Sequence, residues 1–136
     1  MENNTNIKTN ISFSLKKSER LCSKKVIGLL FNEGKSFLVF PFKIVFLETQ
    51  LPATTPAQVA FSVSKKKFKR AVHRNRIKRL MREAYRLNKH ELYKNTENRQ
   101  LAVFFIFVGE ELPTFKKVND SMKKAIRRIA QSFSQA

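Results

Sequence analysis

Apolar residues recur along the chain with two periods, one near 3.6 and one of 2, and the switches between them predict the elements. The text "SERLCSKKVIGLLFNEGK" carries apolar Leu21, Val26, Ile27, Leu30 and Phe31 in a first helix, with Ser18 as candidate N-cap and Gly34 as stop. The next stretch, "SFLVFPFKIVFLE", is β-branched and aromatic, and from Phe42 it alternates: Ile44 and Phe46 on one face, Lys43, Val45 and Leu47 on the other. Pro41 cannot donate a ladder hydrogen bond, so it marks an edge position or a bulge dividing the stretch. After a loop at "TQLPATTPAQ", "VAFSVSKK" is another strand, with Val59, Phe61 and Val63 opposite to Ala60, Ser62 and Ser64.

The longest helix is expected from about 70 to 94. At 100° per residue, Ile77, Leu80, Met81, Ala84 and Leu87 share an apolar face, while Asn75, Lys78, Arg79, Arg82, Arg86 and Lys89 gather on the opposite one. "LAVFFIFVG" is too apolar for a half-exposed strand and should be central, buried on both sides. Val118, Met122, Ala125, Ile126 and Ile129 then mark a last amphipathic helix between Phe115 and Phe133. The order α-β-β-(β)-α-β-α predicts an α+β fold, a two-layer sandwich of a small, mostly antiparallel sheet with helices. Residues 1–12, rich in Asn and Thr and without periodicity, are expected to be a flexible arm, leaving 13–136 as one domain.

Charge changes this picture from a generic sandwich to one with an absent partner. The 136 residues carry 28 Lys and Arg against 10 Asp and Glu, a net charge of +18 that repels itself unless a polyanion screens it. No apolar run reaches the roughly 18 to 20 residues of a membrane span, and the polar opening "MENNTNIKTN" lacks the apolar core of a secretory signal. With a single cysteine, Cys22, there is neither an internal disulfide nor a Cys-based metal site, and a reducing cytoplasm is the expected compartment.

The charge is densest in "SKKKFKRAVHRNRIKRLMR", where ten of nineteen residues are Lys or Arg and none is acidic. Ordinary solvated helices mix signs so that residues at i,i+4 support each other; here Lys78, Arg82 and Arg86, and Asn75 with Arg79, stack with only Glu83 as an acidic neighbour. Arginine grips phosphate oxygens with paired hydrogen bonds, and Asn75 adds an amide for a sugar, phosphate or base edge, which favours nucleic acid over lipid. No acid–base or metal constellation accompanies it: His73 and His90 stand alone and the carboxylates form no clear cluster.

The stretch "FSVSKKKFKRAVHRNRIKRLMREAYR" closely resembles the signature region of the bacterial ribonuclease P protein component. The marks are Arg74, Asn75 and Arg76, followed by Lys78 and Arg79 on a helix, after a strand ending in Lys65 and Lys66. "LKKSER", "LFNEGK" and the final helix add looser matches. The resemblance implies a ribosomal protein S5 domain 2-like fold with a left-handed βαβ crossover, against the usual right-handed rule. It implies the protein subunit of an endonuclease that removes the 5′ leader of precursor tRNA, with catalysis and Mg2+ residing in an RNA subunit. Lys65, Lys66, Lys67, Lys69, Arg70, Arg74, Asn75, Arg76, Lys78, Arg79, Arg82 and Arg86 are then expected to bind that catalytic RNA. A cleft between the first helix and the sheet is expected to bind the leader through Phe31 and Phe46; the family's strand aromatic aligns near Val45 or Phe46, of which only Phe46 offers a ring face for a base, and its upstream aromatic falls at Ile27. Two rivals share the charge: a ribosomal or other structured-RNA-binding protein, and a DNA-binding domain with the long helix in a major groove.

Overall fold

The computed structural model describes residues 15–96 and 98–134; the arm expected over residues 1–12, and the start of order expected at Phe13, lie outside them. The described chain begins with a short 3-10 turn, Lys17–Glu19, then runs α1 (Lys24–Glu33), β1 (Lys35–Val39), β2 (Phe42–Glu48), β3 (Ala57–Val63), α2 (Ala71–Tyr93), β4 (Leu101–Phe107) and α3 (Phe115–Ser134). The strands form one sheet in the order β1-β2-β4-β3. β1 with β2 and β2 with β4 are antiparallel, whereas β3 and β4 are parallel neighbours joined across the sheet by α2. β4 is thus central, which is why its sequence alternates so little. Pro41 sits with Phe40 in the turn between β1 and β2, dividing the apolar run into two strands.

Register assigns the two faces. Phe42, Ile44 and Phe46 of β2 lie with Val103, Phe105 and Phe107 of β4 and Val59 and Val63 of β3 on the face covered by α2 and α3. Ile77, Met81, Ala84 and Tyr85 of α2 and Val118, Met122, Ile126 and Ile129 of α3 complete this main core, each large side chain contributing about 1.5–3 kcal/mol on burial. On the other face only α1 packs, setting Val26 and Leu30 with Leu21 against Val45 and Ala102. Ten residues of helix cannot cover four strands, so Phe104 and Ile106 stay half-buried on a trough beside α1.

The first helix starts later than the pattern suggests. Its N-cap is Ser23, whose Oγ accepts from the Val26 N–H at 3.3 Å, and Ser18 lies in the 3-10 turn. The intervening residues are committed elsewhere: Arg20 bridges Val59 in parallel, the Leu21 N–H donates to the Val59 carbonyl at 2.9 Å, and Glu19 is drawn inward. Gly34 ends α1 as expected, because a Cβ there would meet the Leu30 carbonyl oxygen at 2.3 Å and the Phe46 carbonyl oxygen at 3.0 Å.

On α2 the apolar face holds at Ile77, Met81 and Ala84, but Leu87 is exposed, and Lys89, expected on the cationic side, is buried. The reason is an ion pair absent from the helical pattern. Lys89 Nζ donates to both Glu19 oxygens at 2.8 and 3.0 Å, the Tyr93 hydroxyl donates to Glu19 Oε1, and the Tyr85 hydroxyl donates to that of Tyr93 at 3.2 Å. Burial alone would raise the Glu19 carboxyl, but hydrogen bonds from Lys89, Tyr93 and the Lys16 N–H, with the Lys89 charge, outweigh it and hold the group below its ordinary range. Burial pushes both tyrosine hydroxyls upward, keeping them neutral donors.

Candidate nucleic-acid interface

The loop from Ser64 to Arg70 is built around one apolar anchor. Phe68 is buried with its ring 5.9 Å from that of Phe107, and its N–H donates to the Ser64 carbonyl at 3.1 Å. Ser64 Oγ accepts from the N–H groups of Lys66 and Lys67 at 3.2 and 3.4 Å. With the backbone tied inward, Lys65, Lys66, Lys69 and Arg70 are left exposed.

Not every predicted cation faces outward to the same purpose. Arg74 is half-buried, and its Nη1 donates to the carbonyls of Phe68 and Lys69, each at 2.8 Å, so it braces the loop against α2. Lys67 Nζ donates to the Val108 carbonyl at 2.9 Å, tying the loop to the end of β4. Arg86 is held by Glu83 through Nη2 at 2.6 Å and Nε at 3.1 Å. Arg70, Asn75, Arg76, Arg79 and Arg82 are exposed, Lys78 is half-buried, and none of them has an acidic partner among the described residues. The structure therefore brings together the lysine loop and an arginine row at Arg76, Arg79 and Arg82, separated by one helical turn or less.

In the trough on the other face, Phe31 is 51% exposed and its ring lies 5.2 Å from that of Phe104, tilted by 60°. Phe46 is not there. It is 8% exposed and points to the opposite face, where its ring meets Phe37 edge-on at 5.8 Å. Strand alternation decides the matter: Val45 faces α1, so Phe46 must face the main core, and the preference for a ring over a valine chose the wrong parity. The aromatic that does flank Phe31 is Phe104, directly across from Val45 in the β2–β4 register. Alternation within "LAVFFIFVG" separates Phe104 and Ile106 from Val103 and Phe105, but only the pairing shows which set faces the trough.

The sequence profile of the family described as Ribonuclease P matches residues 15–130. The chain belongs to the ribonuclease P protein family. A ribonuclease P protein component from Porphyromonas gingivalis is 45% identical over 121 residues, covering 88% of each chain. That from Chlorobium phaeobacteroides is 35% identical over 131 residues, covering 88% of this chain and 90% of the relative. In three dimensions the fold resembles the RNase P protein of Thermotoga maritima, with a TM-score of 0.66 and 25% identity over 82% of this chain and 97% of that one. The Staphylococcus aureus RNase P protein shares the fold at a TM-score of 0.66 with 22% identity, covering 86% and 99% of the two chains. Membership carries the role of an RNA-binding subunit in a ribonucleoprotein that processes tRNA 5′ ends, and sets aside the ribosomal and DNA-binding rivals. Among the described residues, no three His, Cys, Asp or Glu side chains gather as a metal site, and no helix is long and apolar enough to cross a membrane.

Proposed function

We propose that this chain grips the catalytic RNA of ribonuclease P with its lysine loop and α2, and receives the single-stranded 5′ leader of precursor tRNA in the trough between α1 and the sheet. The observation that carries the first half is the row Arg76, Arg79 and Arg82, a like-charge array with no acidic partner among the described residues, beside the braced loop. Folded RNA suits such an array, because a duplex RNA groove offers backbone and shape to protein side chains rather than base edges. Arg74 and Lys67 act mainly by holding the loop, while Lys65, Lys66, Lys69, Arg70, Asn75, Lys78 and the arginine row meet phosphates and riboses. In the trough, Phe31 and Phe104 present ring faces on which an unpaired leader base stacks. Mg2+ held by the RNA supplies the hydrolytic chemistry, and the protein acts in the cytoplasm, where precursor tRNA is made.

The experiment is 5′-leader cleavage at low Mg2+ with a bacterial ribonuclease P RNA alone, this protein alone, and both together. Cleavage stimulated only by the combination supports the proposal; cleavage by the protein alone would mean a protein active site. For the trough, Phe31→Ala should weaken precursor binding to the holoenzyme about tenfold through lost stacking while costing only about 1 kcal/mol of stability, since the ring is half in water. Mature tRNA, which lacks the leader, should bind the variant unchanged. A drop in melting temperature with precursor affinity intact would reassign Phe31 to packing.

A further inference from the structure

A second cationic surface lies away from the loop and α2. The outer side of α3 exposes Lys116, Lys117, Lys123, Lys124, Arg127 and Arg128, and the single acid of that helix, Asp120, is paired to Lys116 at 3.2 Å. Asn88 of α2 donates to Asn119 of α3 at 2.8 Å, and Arg79, Arg82 and Arg86 lie about 120–180° around α2 from Asn88, at 3.6 residues per turn. The two basic surfaces therefore point in different directions.

Along the border of α3 with the edge strand β1, cations meet aromatic rings. Lys117 Nζ lies 5.8 Å from the centre of the Phe40 ring, and the Arg128 guanidinium lies 4.7 Å from that of Phe37. Phe40 is 60% exposed at the tip of the β1–β2 turn, and its carbonyl accepts from Ser121 Oγ at 3.1 Å, which fixes the turn to α3. The ring lines a depression of about 350 Å³ whose rim carries Lys116, Lys117 and Lys124 and one carboxylate, Asp120, the partner of Lys116. It also lines one of about 460 Å³ that shares Lys117 but carries Glu110 and Glu111, and is the less favourable of the two to phosphate. An exposed ring with a net cationic rim in one depression and a net acidic rim in the other favours a stacked base whose backbone follows the cationic rim.

We infer that Phe40, Lys117 and Lys124 form a second RNA-binding seam, which holds an unpaired segment of the ribonuclease P RNA with a base on Phe40 and its flanking phosphates on the α3 lysines. This rests on the function proposed above. The leader is not the occupant, because the trough with Phe31 and Phe104 lies on the α1 face of the sheet, whereas Phe37 and α3 lie on the opposite face. A lipid surface is disfavoured by the small apolar area, Phe40 with Leu112 beside it, set among charged side chains.

The test is binding of full-length protein to the ribonuclease P RNA, without precursor, at several salt concentrations. K117Q/K124Q should raise Kd about five- to tenfold and make the log–log salt dependence shallower by about 1.5, two phosphates' worth of released counterions. F40A should raise Kd at least about fivefold with the slope unchanged, because stacking releases no ions. As a readout independent of any loss of affinity, an iron chelate tethered to K124C in a C22S background should cleave the RNA at unpaired nucleotides. Wild-type affinity and slope in both variants, with no cleavage from the tether, would overturn the seam. If wild-type protein failed to bind the RNA or to stimulate leader cleavage, the ribonuclease P function itself would fall instead.

Discussion

Lys89→Ala is expected to destabilise the fold by about 3–5 kcal/mol, a large part of the roughly 5–15 kcal/mol that holds a domain of this kind together. The side chains of Lys89 and Glu19 are 2% and 6% exposed, so truncating the lysine leaves a carboxylate inside the protein with no counter-charge. The residues at stake join distant parts of the chain: Glu19 precedes α1, whereas Lys89 and Tyr93 lie near the end of α2. Loosening them frees the segment that positions α1 and hence the trough. The pH dependence identifies the cause. In the wild type the folded Glu19 carboxyl sits below its ordinary value of 4.5, so its contribution is present above that value and lost as pH falls through the folded pKa. In the variant the ammonium no longer opposes burial, the carboxyl moves upward, and protonation removes the buried charge. The deficit of Lys89→Ala should therefore shrink between pH 7 and about pH 4.5 in denaturant melts. A deficit constant over that interval would assign the loss to packing of the lysine stem. Glu19→Gln with Lys89→Met should cost less than the sum of the single changes, because neither partner is left charged and alone.

The buried pair also marks where sequence reading stops. Helical periodicity placed Lys89 with the surface cations because it lies near Arg82 and Arg86 around the helix axis, and nothing local distinguishes a lysine facing water from one facing a carboxylate 70 residues away. Element order, the central position of β4 and the cationic row on α2 were legible, since each follows from local pattern: unbroken apolarity, one-sided charge, strand alternation. The trough was half legible. Phe31 follows by position from the family resemblance, but its companion depends on strand pairing, and Phe46 in place of Val45 exchanges one face of the sheet for the other. Chemistry had favoured an aromatic where parity favoured the valine's neighbour across the ladder, Phe104. The bracing roles of Arg74 and Lys67 were likewise hidden, because carbonyls at a loop turn leave no trace in a charge pattern.

Replacing Arg76, Arg79 and Arg82 together by alanine is expected to weaken binding to the ribonuclease P RNA about 100- to 1000-fold near physiological salt, and to reduce the salt slope by about 2 to 2.7. These three are chosen over Arg74 because they are exposed and support no loop carbonyl, so that lost affinity reports phosphate contact and not a collapsed loop. Stability should move the other way. Arg76 with Arg79, Arg79 with Arg82, and Lys78 with Arg82 are like charges at i,i+3 or i,i+4, and removing them relieves about 0.2–0.5 kcal/mol per pair. A melting temperature at or above that of the wild type, combined with loss of RNA binding, is the signature of an array maintained for a partner at a cost to the free protein. Lysine at all three positions separates charge from geometry: the salt slope should return, but affinity only in part, because an ammonium cannot span two phosphate oxygens as a guanidinium does. Full recovery with lysine would reduce the interface to point charges, and an unchanged slope in the alanine variant would move the RNA off α2 altogether.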